Sequence, residues 1–167
     1  MRLVLCAAVL AASVVFAASA SGAPKLVLAS TAFPAGGMIP ARFTCDGANS
    51  IVPLRWSGAP VGTKSFALIV DDPDAGSATF LHRIAWGIPA RAKGLAGRAP
   101  VEGANGAGQV GWTGPCPPSG THRYVFLLYA LRSKLPLKAG ADRTAFEAAL
   151  KGRMLAVAKL IGRYSRG

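Results

Sequence analysis

The sequence predicts a mostly β domain with a small helical part near its C-terminus, and three observations carry this prediction. Residues 65–70 and 124–131 are short apolar runs without charge, which is typical of strands buried on both faces. Gly, Pro, Asp and Asn cluster between such runs, as they do in turns. Late in the chain, residues 143–151 carry apolar side chains at helical spacing.

Each predicted strand rests on its own local pattern. Apolar residues alternate in the first strand, and an Asp46-Gly47 turn follows the second. The run 65–70 ends abruptly in the acidic segment Asp71-Asp72-Pro73-Asp74, and Pro89 ends the strand after it. The predicted strands are residues 25–30, 42–44, 53–56, 65–70, 80–88 and 124–131.

The segment 91–120 is rich in Gly, Ala and Pro. Only Val101 and residues 109–112 predict brief extended pieces within it. Loops of this length are uncommon in small domains, and they are usually functional or mobile.

The C-terminal part predicts a helix over residues 143–151, with Asp142 as its N-cap. Gly152 interrupts this pattern. Residues 153–160 predict a second helical piece, and residues 161–165 predict a final strand.

The N-terminus reads as a secretory signal peptide over residues 1–20. Arg2 supplies the positive start, residues 3–16 form the apolar run, and Ala18-Ser19-Ala20 fits the cleavage pattern. The alternative is a membrane anchor, but the run is shorter than the roughly 20 residues that a spanning helix needs. We therefore expect a periplasmic or secreted protein whose residues 21–167 form one domain.

The chain is strongly basic, with a net charge that falls from +12 to +11 when Arg2 leaves with the signal. The basic residues are scattered singly from Lys25 to Arg166, without a run or interleaved aromatics. We expect no nucleic-acid partner. The pattern favours a soluble basic surface that attracts anionic lipid head groups or acidic proteins.

Two cysteines, Cys45 and Cys116, remain after the signal is removed. An even pair in an oxidising compartment is compatible with one disulfide. Such a bond would stabilise the fold by roughly 4 kcal/mol in the chain-entropy model. Two independent thiols are the alternative, because sequence does not give the distance between them.

Polar residues follow or precede the apolar runs at positions that converge. Asp71, Asp72 and Asp74 follow one strand, His82 lies near the start of the next, and His122 directly precedes residues 124–131. If these strands run antiparallel to the first, both histidines meet three acids at one sheet end. Taken singly, the acidic segment is an ordinary turn and His82 an ordinary core histidine. Together they predict a binding site.

Three spans resemble the signatures of the phosphatidylethanolamine-binding protein family, most closely its bacterial Raf-kinase-inhibitor-like branch. They are Asp72-Pro73-Asp74-Ala75, residues 82–89, and Gly114-Pro115-Cys116-Pro117-Pro118 continuing to His122-Arg123-Tyr124. The resemblance implies an antiparallel β-sandwich with peripheral helices and a pocket for phosphate-type anions. Arg83 stands where the family usually has an aromatic residue.

The resemblance also implies which residues form the pocket. Imidazole and phenol groups would donate to a phosphate, while the carboxylates would accept from the histidines or bind a ligand ammonium group. A zwitterionic phosphoethanolamine-like head group would provide a phosphate for the donors and an ammonium group for the carboxylates. The implied ligand-binding residues are Asp72, Asp74, His82, Gly114, Pro117, Pro118, His122 and Tyr124.

The predicted function is therefore a non-enzymatic binding protein without metal or cofactor. A metal-dependent or acid/base hydrolase that uses the His/Asp cluster is the alternative, although the sequence has no metal-ligand spacing such as His-x-x-x-His. A third interpretation is an inhibitor or interaction module. The resemblance also allows a homodimer.

Overall fold

The computed structural model describes residues 25–167, so the predicted signal peptide lies outside the described residues. The elements bear out a mostly β fold with one short helix. The strands are β1 Val27–Ser30, β2 Leu54–Ser57, β3 Ser65–Asp72, β4 Phe80–Pro89, β5 Gly94–Leu95, β6 Val101–Glu102, β7 Gly120–Leu131 and β8 Met154–Arg166; the helix α1 spans Arg143–Leu150.

Two antiparallel sheets form the domain. One has three strands in the order β1-β2-β5, and the other has five in the order β6-β4-β3-β7-β8. β3 lies at the centre of the larger sheet, where it pairs antiparallel with both β4 and β7. The end of β3 and the starts of β4 and β7 therefore lie at the same edge, as the sequence predicted.

The larger sheet is covered on both faces. One face packs on the smaller sheet through a core that includes Phe66, Leu68, Tyr124 and Phe126. The other face packs on α1, where Phe146 meets Trp86. Cover on both faces explains why the middle of β3 is an uninterrupted apolar run.

The helix begins where the sequence predicted it. The Asp142 side chain accepts a hydrogen bond from the Ala145 backbone N–H at 2.8 Å, as an N-cap does. Among the described residues, no helix is long and apolar enough to cross a membrane.

Two predicted elements are wrong. Residues 42–44 were expected as a strand, but Ala41–Phe43 forms a 3-10 turn, which Thr44 closes through its Oγ1 bond to the Ala41 carbonyl. Residues 153–160 are predicted as a helix, but residues 154–160 belong to β8 and Arg153 lies in the turn before it. Their Ala, Leu and Met content favours a helix locally, whereas pairing with β7 along its whole length favours a strand.

Candidate functional site

The candidate site lies at the end of the larger sheet where β3 leaves and β7 enters. β3 extends two residues beyond the predicted run, so that Asp72 follows Phe66, Leu68 and Val70 at every second position. β7 likewise begins at Gly120 and includes His122. Because alternate residues of a strand share a face, these polar groups continue the apolar rows of the core.

A β-bulge directs His82 into the same site. Val70 pairs with Arg83 and Asp71 with Leu81, so His82 is the extra residue that no residue of β3 opposes. Bulges of this kind re-aim a side chain, and they recur beside functional sites. The His82 ring packs edge-on against Phe80, with ring centroids 4.8 Å apart.

Both imidazoles are held by hydrogen bonds at Nδ1. The Nδ1 of His122 lies 2.7 Å from Asp72 Oδ2, and the Nδ1 of His82 lies 2.6 Å from the Thr113 carbonyl oxygen. A carbonyl or carboxylate oxygen accepts, so each Nδ1 carries the proton. In the neutral rings each Nε2 is then an acceptor, and protonation converts it into a donor.

Burial weakens the basicity of one of these rings. The pKa of His82 lies below its ordinary value, mainly because the ring is buried. The hydrogen bond to the Thr113 carbonyl and the charge of Asp72 raise the pKa of His82, whereas His122 lowers this pKa, as burial does. His82 is therefore a poor base in the absence of an anion.

The loop at residues 113–118 forms the wall opposite the sheet. The Gly114 N–H donates to Asn49 Oδ1 at 2.8 Å, and the Cys45 N–H donates to the Pro115 carbonyl at 3.0 Å. A Cβ at Gly114 would lie 2.2 Å from Asn49 Oδ1, so only glycine allows this close approach. Cys45 and Cys116 are joined by a disulfide, with their Cα atoms 5.4 Å apart.

Together these elements enclose a cavity of about 220 Å³. Six of the eight expected ligand-binding residues line it. They are Asp72, His82, Gly114, Pro117, Pro118 and His122; Ala75, Phe80, Thr113 and Cys116 complete the lining.

Two expected ligand-binding residues are placed elsewhere. Asp74 lies at the surface, where the Arg123 backbone N–H, Nε and Nη2 all donate to its carboxylate within 2.9 Å. Tyr124 is fully buried behind His82, with ring centroids 5.1 Å apart. Its hydroxyl makes no well-formed hydrogen bond to a described residue, and burial raises its pKa.

Three further residues shape the site, and none of them was predicted from the sequence. Phe80 lines the cavity and lies opposite Asp72 in the pairing of β3 with β4. It is two residues from His82, and alternate residues of a strand share a face, so the sequence could have indicated its place. Thr113 orients His82, and Asn105 holds Thr113 through a 3.1 Å bond from Nδ2 to Oγ1. No local pattern marks the contacts of Thr113 and Asn105, because their partners are set by the path of the loop.

The cavity is mostly apolar, but its wall carries groups that can be positively charged and a group that can be negatively charged. The imidazoles can donate when protonated, and the Asp72 carboxylate can accept. Among residues 25–167, no group of three or more His, Cys, Asp or Glu side chains is arranged to hold a metal ion. The arrangement is that of a small binding pocket with a few convergent polar groups.

Comparison with known proteins agrees with this architecture. The family model described as "Phosphatidylethanolamine-binding protein" matches residues 29–165. A UPF0098 protein of Methanothermobacter thermautotrophicus is 49% identical over 145 residues, which cover 81% of this chain and 96% of the relative. LppC of Mycobacterium tuberculosis, named as a candidate lipoprotein, is 40% identical over 151 residues, which cover 87% of this chain and 75% of LppC.

Two solved structures share the fold. One is a candidate phosphatidylethanolamine-binding protein homologue of Chlamydia trachomatis, with a TM-score of 0.82 and 34% identity over 86% of this chain and 99% of that one. The other is YbcL of Escherichia coli, described as a member of the mammalian family of that name. Its TM-score is 0.79, with 31% identity and the same coverage of both chains.

Proposed function

This chain belongs to the phosphatidylethanolamine-binding protein family, and from that premise we propose that it is a non-enzymatic binding protein whose cavity takes a phosphate-type anion or a phosphoethanolamine-like head group. The observation that carries the proposal is the pair of histidines on the cavity wall. Each is held at Nδ1 by a protein oxygen, and neither Nε2 has a hydrogen-bond partner among the described residues.

The polarity of the cavity favours a zwitterion over a bare dianion. His82 and His122 become donors on protonation and would contact phosphate oxygens. Asp72 is buried beside them, so its charge opposes an anion but attracts an ammonium group. A head group that carries both charges satisfies both kinds of side chain.

The size of the cavity also favours a head group. Its volume of about 220 Å³ is below the 300–1,000 Å³ that is typical of pockets for drug-sized ligands. The wall loop is fixed by a disulfide and two backbone hydrogen bonds, so the cavity is formed before a ligand arrives. A preorganised site loses little free energy on ordering.

One observation favours a hydrolase as the second candidate. Asp72 holds His122 as the acid of a catalytic triad holds its base. A nucleophile for such a triad is less evident. Among the described lining residues only Thr113 has a hydroxyl, and its Oγ1 already accepts a hydrogen bond from Asn105. Release of nitrophenol from a nitrophenyl phosphodiester by the wild-type chain, lost in His122→Ala, would establish this candidate over simple binding.

We further propose that the protein is exported, as the sequence of residues 1–20 predicts, and that it acts outside the cytoplasm. The name of LppC as a candidate lipoprotein supports a location at or beyond the membrane for this family branch. The ligand group would also bind if it were attached to a partner protein, because the rim residues Pro118 and Ser119 are exposed. The pocket would then be a docking site for that protein. A pull-down with and without phosphate distinguishes this use from binding of a free ligand.

The family resemblance also allows a homodimer, and the mass of the protein in solution tests for it.

Isothermal calorimetry with phosphoethanolamine tests the binding proposal. We expect His122→Ala to weaken the affinity at least about tenfold, because a charge-assisted hydrogen bond contributes about 1.5–3 kcal/mol. Thr121→Ala is the matched control, since the Thr121 hydroxyl bonds to Ser165 at the surface. Unchanged affinity in His122→Ala, with an unchanged melting temperature, would overturn the assignment.

A further inference from the structure

A second surface lies at the end of the larger sheet that is remote from the cavity. We call it the basic end and define it by six residues: Lys64, Arg91, Arg132, Lys134, Lys151 and Arg153. Five of them are exposed, and Arg153 is half-buried. β3 has eight residues, so at about 3.3 Å per residue this end lies about 25 Å from Asp72.

Backbone contacts bring the six residues together. The Lys64 N–H donates to the Leu131 carbonyl at 2.7 Å, and the Arg132 N–H donates to the Arg153 carbonyl at 2.9 Å. Lys64, Arg91 and Lys134 line one cleft of about 420 Å³. Lys151 is two residues from Arg153, at the end of α1.

No acid of residues 25–167 forms an ion pair with these six cations, although Glu147 lies one helical turn before Lys151. Three of the seven acids of the chain, Asp71, Asp72 and Asp74, lie at the opposite end of β3. Asp46 is bonded to Tyr164 and Arg166 near the disulfide. Glu102 is buried against Arg83, Asp142 caps the start of α1, and Glu147 pairs with Arg143. Among the described residues, none of the six cations forms a salt bridge.

Apolar side chains project from the same end. Val61 is fully exposed at the tip of the turn between β2 and β3. Met154 is 47% exposed at the start of β8. Leu155 Cδ1 is 4.0 Å from the ideal Cβ position of Gly62, so the start of β8 lies beside the turn that carries Val61. A fully exposed valine among cations is suited to an interface that is partly apolar and partly charged.

The chain also enters the domain at this end. Val27 pairs with Ser57, and Lys25 lines a groove with Val157 and Lys159 of β8. The preceding 24 residues, with the apolar run 3–16, therefore connect to the domain beside the basic end. A signal peptide is held in the membrane until it is cleaved, so the basic end is the part of the domain next to the lipid surface during export.

We propose that the basic end docks on an anionic lipid bilayer, with the six cations against lipid phosphates and Val61 inserted among the head groups. Each Lys or Arg near an anionic surface contributes to attraction, and an inserted side chain adds hydrophobic affinity. In this orientation the cavity opens away from the bilayer. Docking is independent of the ligand proposed for the cavity, because the two surfaces share no residue.

Vesicle sedimentation with residues 21–167, the predicted mature chain, tests this proposal. Vesicles of phosphatidylcholine mixed with phosphatidylglycerol are compared with vesicles of phosphatidylcholine alone. We expect Arg91→Glu with Lys134→Glu to lower the partition coefficient on anionic vesicles at least about 30-fold. Val61→Asp should lower it about tenfold while leaving every cation in place. Added salt should weaken the binding of the wild-type chain.

The matched control is Arg42→Glu with Lys138→Glu, which changes the net charge equally but away from the basic end. It should retain most of the anionic binding. Because every variant begins at residue 21, the apolar run 3–16 adds no affinity of its own to the comparison. Equal losses in the two double variants, or no loss in either, would overturn the proposal. So would a salt-dependent affinity for an acidic protein or RNA that exceeds the affinity for anionic vesicles.

Discussion

The Nδ1 atom of His82 lies 2.6 Å from the carbonyl oxygen of Thr113. This contact places the ring proton on Nδ1 and leaves Nε2 as the atom available on the cavity side. His122 is held in the same way by Asp72. The two rings therefore present acceptors when neutral and donors when charged, so we expect the proposed affinity for anions to depend on pH.

We expect sulfate affinity to rise as pH falls from 8, by about tenfold per pH unit for each proton taken up. Sulfate stays a dianion over this range, so the change reports protonation of the protein. Since burial lowers the pKa of His82, its contribution comes at the acidic end of the profile. Calorimetry across pH measures this slope. His82→Gln should flatten the acidic part, and a pH-independent affinity would contradict the prediction.

The disulfide should stabilise both the fold and the cavity wall. Cys45 and Cys116 are 71 residues apart in sequence, so replacing both by Ser should lower the free energy of unfolding by about 4 kcal/mol. Urea denaturation measures the loss. A reductant should bring the wild-type chain to the level of the double variant and leave that variant unchanged. Equal stability of the oxidised and reduced chains would refute this role.

Glu102→Ala should be strongly destabilising, by about 3–5 kcal/mol, because it leaves a buried guanidinium without its partner. Arg83 and Glu102 are 1% and 4% exposed, and their Nη2 and Oε1 atoms lie 2.5 Å apart. Glu147→Ala breaks an exposed pair with Arg143 and should cost below about 1 kcal/mol. Chemical denaturation compares the two. A small loss in Glu102→Ala would show that water reaches the Arg83 side chain.

Asp74 should stabilise the loop after β3 rather than bind ligand. The hydrogen bonds from Arg123 lower the pKa of Asp74 from 3.8 to about 2. Its stabilising effect is therefore present above pH 3.8 and is lost as pH falls towards 2. Carboxyl titration by NMR should show the low midpoint and its return towards 3.8 in Arg123→Ala.

A substitution of Asp74 also tests whether the surface beside the cavity contributes to binding. At neutral pH, Asp74→Asn should change phosphoethanolamine affinity far less than His122→Ala does, because Asp74 does not line the cavity. Comparable losses in the two variants, at equal stability, would place Asp74 among the ligand contacts.

Much of the fold follows from local patterns. The apolar run of β3 and the acids after it predict a buried strand that ends at a polar edge, and Asp142 predicts the start of α1. The family resemblance, carried by the segment around Pro117 and Pro118, is confirmed by the family match. These features are readable because hydrophobic period, turn residues and caps act over a few neighbouring residues.

The tertiary structure decided the rest. Three features depend on partners distant in sequence: the bulge that turns His82 into the cavity, the strand conformation of residues 154–160, and the pairing of Arg83 with Glu102. Contacts with Arg123 hold Asp74 at the surface, and Tyr124 packs behind the His82 ring, although each lies within two residues of a lining residue in the chain. The sequence by itself determined which polar residues arrive at the sheet edge, because alternation along a strand is local. Which of them line the cavity was decided only by packing, because it depends on how separate strands and loops meet.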